Sequence, residues 1–157
     1  RIFRGRVVPP FVWKYVHHDP CEMDFQSMAT AARHFLGEHD FTTFAASTGS
    51  EEDDRERQMT RTIYRSEWLR APVADAGDAG EEWIYVVRGR SFLRHMVRNM
   101  VATLVDVGRG RLAPEALPGL LELKDRSRSG GTMPAQGLCL ESVEYPDPAN
   151  SLGSTLK

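Results

Sequence analysis

Between Phe92 and Val107 the residues Phe92, Leu93, Met96, Val97, Met100, Val101, Leu104 and Val105 recur at helical spacing and cover most of a helix's circumference. A surface helix shows one apolar stripe, so a helix that is apolar nearly all round must lie inside a domain or between two. Ser91 supplies a cap and Gly108 a stop, and the pattern predicts a buried helix from Phe92 to Val107. The rest of the chain must cover it. That helix also carries Arg94 and Arg98, one turn apart and mutually repelling. A guanidinium taken out of water is costly unless a carboxylate or phosphate meets its fork. No acid stands three or four residues from Arg98. Two readings of Arg98 stay open: an internal ion pair or a side chain reaching back to solvent, or a guanidinium that orients a catalytic carboxylate or grips RNA phosphate.

The covering surfaces follow from local pattern. Asp19-Pro20-Cys21-Glu22 reads as a capped helix start, with Phe25, Met28, Ala29, Ala32, Phe35 and Leu36 at helical spacing and Gly37 as a left-handed stop. Asp40 to Phe44 reads as an aromatic turn, and Ser47 to Gln58 as a mobile acidic connection. Thr60 to Leu69 and Glu81 to Arg90, rich in β-branched and aromatic residues, predict an antiparallel hairpin with a long loop. A third helix runs from Pro114 to Lys124, a loop from Arg126 to Gly137, and a strand from Leu138 to Tyr145; the tail from Pro146 is expected to be frayed. These elements predict an α+β fold, an antiparallel sheet with helices packed on one face and the other face free for a partner.

A length of 157 residues, 41% hydrophobic and 27% charged, fits one ordinary domain. No apolar run approaches the roughly 20 residues a membrane helix needs, which predicts a cytoplasmic protein with no membrane partner. Cys21 and Cys139 form no paired motif and are read as packing residues in a reducing compartment. The net charge of −2 exerts no overall pull on nucleic acid, but the charges are segregated. Arg88, Arg90, Arg94, Arg98, Arg109 and Arg111 face one acid, Asp106, in the same stretch, and residues 1–18 hold Arg1, Arg4, Arg6 and Lys14 with no acid. Such clusters are either solvated surface or a nucleic-acid footprint. The five histidines show no metal-binding spacing, and neither a nucleophile elbow nor a phosphate-cradling glycine loop occurs, so no metal or cofactor is expected.

The run Phe92-Leu93-Arg94-His95-Met96-Val97-Arg98-Asn99-Met100-Val101, with Gly37-Glu38-His39-Asp40-Phe41-Thr42-Thr43-Phe44, strongly resembles the TruA family of tRNA pseudouridine synthases. Arg61-Thr62-Ile63, Asp125-Arg126 and Pro134-Ala135-Gln136-Gly137-Leu138 fall in that family's order. The resemblance implies half of a pseudouridine synthase fold: residues 1–145 as the C-terminal domain, with 146–157 a flexible tail. It implies a homodimeric, cofactor-free isomerase acting on uridines of the tRNA anticodon stem-loop. The family's catalytic Asp lies in an N-terminal G-R-T-D-x-G-V-H motif, which does not occur here. The chain is therefore expected to be a fragment, inactive alone, whose partner is the missing N-terminal half. By the same resemblance Arg98 pairs with that Asp and Leu138 packs against the target base, although Leu138 also reads as the first core residue of a strand. Asp40, Phe41 and Phe44 are weighed as packing and capping. Arg88, Arg90, Arg94, Arg109 and Arg111 are the candidates for RNA phosphate. A noncatalytic RNA-binding or dimerisation module is the alternative.

Overall fold

The computed structural model describes residues 1–47, 58–73 and 80–145. The mobile connection and the frayed tail expected from sequence fall largely outside these. Five strands form one mixed sheet in the order β2 (His17–His18), β1 (Ile2–Phe3), β5 (Glu81–Gly89), β4 (Thr60–Pro72), β3 (Gly37–Asp40). The hairpin read from sequence is its centre, pairing Trp68 with Tyr85 and Arg70 with Trp83. All pairings are antiparallel except the two-residue contact of β1 with β2, which is parallel. The short strands β1, β2 and β3 lacked the alternating run that makes a strand visible in sequence.

Alternation along the hairpin puts Ser66, Trp68 and Arg70 on one face with Val87, Tyr85 and Trp83. Helix α1 (Phe25–Ala32) covers this face. The Ser66 hydroxyl donates to the Ala32 carbonyl at 2.6 Å, the Phe25 ring meets Trp83 edge-on at 5.1 Å, and the Arg70 guanidinium lies 4.2 Å over Phe25. Tyr85 is half-buried, and desolvation pushes its phenol pKa up, although the Ser66 hydroxyl hydrogen-bonds it at 2.6 Å. The opposite face presents Arg65, Leu69 and Arg88 to solvent.

Helix α2 (Met96–Gly108) packs on α1, and the Asp24 N–H donates to the Gly108 carbonyl at 2.7 Å. Nine of its thirteen residues are buried, as its all-round apolar pattern requires. Helix α3 (Leu117–Leu123) closes the core through Leu117 and Leu121.

Three local readings are corrected. The cap of α1 is Asp24, which accepts from the N–H groups of Gln26 and Ser27 at 2.8 and 3.3 Å; Asp19 is instead buried as an ion-pair hub. Cys21 and Cys139 are exposed rather than packed. Leu138 to Tyr145 forms no strand among the described residues. A strand exists only as part of a ladder, and the sheet brings no neighbour to this segment, so its β-forming residues remain exposed.

Candidate active site and RNA-facing surface

The buried helix begins one turn later than its pattern suggested. His95 is left-handed, with φ 60°, a conformation that cannot continue inside a right-handed helix. Its neighbour is held elsewhere: the Arg94 carbonyl accepts the Ala46 N–H at 3.0 Å. Arg94 therefore lies in the turn before α2, exposed, with its guanidinium 3.5 Å from the Ser47 carbonyl. The mutual repulsion inferred from a shared helix stripe is relieved by this break.

Arg98 occupies the first turn of α2 and is half-buried. Its Nε donates to the Met133 carbonyl at 2.6 Å, and the Met133 N–H returns to the Arg98 carbonyl at 3.4 Å. Among the described residues no carboxylate lies within 4 Å of it, so the internal ion pair is not formed. One edge of the guanidinium is fixed by protein, and among the described residues its terminal amino groups meet no acceptor.

Loop 126–137 brings Met133 to Arg98. Asp125 starts it, accepting from the Ser127 N–H and hydroxyl at 2.9 and 2.7 Å; these bonds hold its carboxyl below the usual carboxylate range. The loop then runs back along α2. Gly130 approaches so closely that a Cβ there would meet the Asp106 carboxylate at 2.3 Å. The loop ends in the Ala135–Leu138 turn, with the Leu138 N–H on the Ala135 carbonyl at 3.0 Å. Gly137 has φ +88°, as the third residue of a type II turn requires, and a Cβ on it would lie 2.6 Å from the Arg1 carbonyl. Leu138 emerges from this turn 55% exposed.

The remaining arginines are spread over both ends of α2, roughly 16 Å apart between Arg98 and Arg109 at 1.5 Å per residue. Arg109 pairs at 2.5 Å with Asp19, which is 3% exposed and also 3.8 Å from Arg4. Arg111 pairs with Asp106 at 3.1 Å and Arg88 with Glu144. Arg90 is exposed, and no carboxylate of the described residues lies within 4 Å of it.

The Gly37–Phe44 motif performs packing and capping. Phe41 and Phe44 are fully buried against Phe35. Burial alone would raise the Asp40 pKa, but the Thr42 hydroxyl and N–H, at 2.6 and 2.9 Å, and Lys124 at 3.0 Å together lower it.

Residues 31–146 match the family model described as tRNA pseudouridine synthase. The chain belongs to the tRNA pseudouridine synthase family. Proteins called tRNA pseudouridine synthase A from Solibacter usitatus and Syntrophotalea carbinolica are 45% and 43% identical to it. Each match covers 92% of this chain, and 53% and 52% of the respective relative. The Thermotoga maritima protein of the same name is 44% identical, over 92% of this chain and 54% of its own length. The chain thus spans about half the length of the curated relatives it matches. The family match includes Arg98, Leu138 and the loop that joins them. Asn99 and Thr132, which bond each other at 2.6 Å beside Arg98, were not singled out in the sequence. The available signal was an amide inside an otherwise apolar helix face, because a buried Asn must find hydrogen-bond partners.

Proposed function

We propose that this chain is the C-terminal half of a tRNA pseudouridine synthase that isomerises uridines in the anticodon stem-loop. The observation that carries this reading is Arg98: half-buried, gripped at Nε, and without a carboxylate among the described residues. A guanidinium so placed is ready for an acid from another part of the protein, and the catalytic Asp of the missing N-terminal half is that acid. Pairing favours the charged form of the Asp and keeps it ionised. The base leaves its stack to reach it, the N-glycosidic bond breaks, the base rotates, and it rejoins the sugar through carbon. Leu138 offers an apolar side chain beside the flipped base. No cofactor takes part.

Arg90 and Arg94 are the foremost phosphate contacts, since they are exposed and have no carboxylate partner among the described residues. Arg88, Arg109 and Arg111 follow, each needing to loosen an existing ion pair. Phe11, Trp13 and Tyr15 are exposed, as are Leu138 and Leu140, and the Gln136 amide ties the two segments by donating to the Trp13 carbonyl. These exposed apolar side chains are the seat of the N-terminal half, and segment 138–145, which pairs with no strand among the described residues, gains its ladder there. The assembled enzyme acts in the cytoplasm as a homodimer.

The test is to assay the intact protein and the isolated chain for pseudouridine in the anticodon arm. Formation by the intact protein alone is expected. Binding of tRNA by the intact protein without isomerisation would instead establish a noncatalytic RNA-binding module.

A further inference from the structure

Asn99 is 5% exposed, next to Arg98, and every polar atom of its side chain is engaged. Its Nδ2 donates to the Phe44 carbonyl at 2.8 Å, and its Oδ1 accepts the Thr132 hydroxyl at 2.6 Å. One turn on, the Thr103 hydroxyl donates to the Asn99 carbonyl and accepts the Gly130 N–H, both at 3.2 Å. The amide therefore joins three segments: the Thr42–Phe44 turn, α2, and the loop that delivers Met133.

We propose that Asn99 and Thr132 are positioning residues for the isomerisation, a clamp that sets the direction of the Arg98 guanidinium through the Met133 carbonyl. The chain of contacts is short. Thr132 precedes Met133, so holding the Thr132 hydroxyl on a buried amide fixes the peptide whose neighbouring carbonyl grips Arg98 Nε. An arginine has several rotatable bonds, and a guanidinium secured at one edge presents its remaining donors in a defined plane. A reacting group displaced by about 1 Å loses much of its effect on rate, so a loop bond that never touches substrate is felt in the chemical step. The left-handed His95 belongs to the same device, because it starts α2 where its own carbonyl can accept the Asn99 N–H at 3.0 Å.

This inference rests on the reading of Arg98 given above, and the experiment separates the two. Thr132 is exposed, so Thr132→Val removes the hydroxyl while keeping the shape, and its one effect on the interior is to leave the Asn99 Oδ1 without this partner. In the intact synthase, assayed well below its melting range, Thr132→Val is expected to lower kcat about tenfold with KM for tRNA unchanged and Tm a few degrees lower because the Asn99 Oδ1 loses its partner, and Thr132→Ser is expected to restore both. A wild-type kcat in Thr132→Val overturns the clamp. So does a kcat loss that merely follows a fall in Tm and is not restored by Thr132→Ser. Arg98→Ala in the same assay tells the readings apart: if it is inactive while Thr132→Val is unimpaired, only the clamp fails, and if it is fully active, the role of Arg98 fails with it.

Discussion

Asp19→Ala should be among the most damaging single substitutions outside the apolar core. Asp19 is 3% exposed and joins Arg109 at 2.5 Å, Arg4 at 3.8 Å and the Cys21 N–H at 3.1 Å. Breaking a buried pair by deleting one partner costs about 3–5 kcal/mol, because the surviving charge is left uncompensated. Here the Arg109 and Arg4 side chains are 28% and 10% exposed, so water takes over part of the lost interaction and the lower end applies, about 3 kcal/mol. For a domain of this size each kcal/mol moves Tm by about 2–4 °C, which gives a fall of about 6–12 °C. Thermal melts followed by circular dichroism, with urea titrations, measure both quantities. Asp19→Ala combined with Arg109→Ala should cost about 1–2 kcal/mol less than the sum of the single changes, since the double variant leaves only Arg4, and no longer Arg109, without the carboxylate. A loss below about 0.5 kcal/mol, the range of ordinary surface changes, would refute the account, as would strict additivity.

Burial holds the His17 pKa below 6.5, Asp19 opposing only in part. The unfolded chain therefore binds the proton more tightly, so the urea midpoint should fall as pH drops through 6.5 and level off below the folded-state value. His17→Gln should flatten that portion of the profile, and an unchanged slope would exclude His17 as its source. Gly137→Ala places a side chain at φ +88° and 2.6 Å from the Arg1 carbonyl, so unfolding titrations should show a loss of about 2 kcal/mol or more. Arg90→Gln with Arg94→Gln should reduce the slope of log affinity for tRNA against log salt by about 0.7–0.9 for each phosphate contact removed. An unaltered slope would take both residues off the RNA path.

The hairpin, the three helices and the burial of α2 were legible because each rests on a periodic run of side chains. What escaped depends on contacts between distant segments. The local pattern points to Asp19 as the cap of α1, and only the arrival of Arg109, 90 residues away, makes it a buried ion-pair hub and leaves the cap to Asp24. The break at His95 has no local signal, since it depends on the Ala46 N–H reaching the Arg94 carbonyl. Leu138 to Tyr145 shows the reverse limit: strand propensity was present and a partner was not. At the candidate site, Arg98 stood out as a charge on an apolar helix. Its grip by Met133 and the Asn99 clamp needed the path of loop 126–137.

The most direct measurement is single-turnover formation of pseudouridine in the anticodon arm by the intact synthase carrying Arg98→Ala. Removing one preorganised charge beside the reacting carboxylate should slow the step by about 10²–10³, with tRNA affinity unchanged. A wild-type rate in Arg98→Ala would contradict the account and leave Arg98 as scaffold.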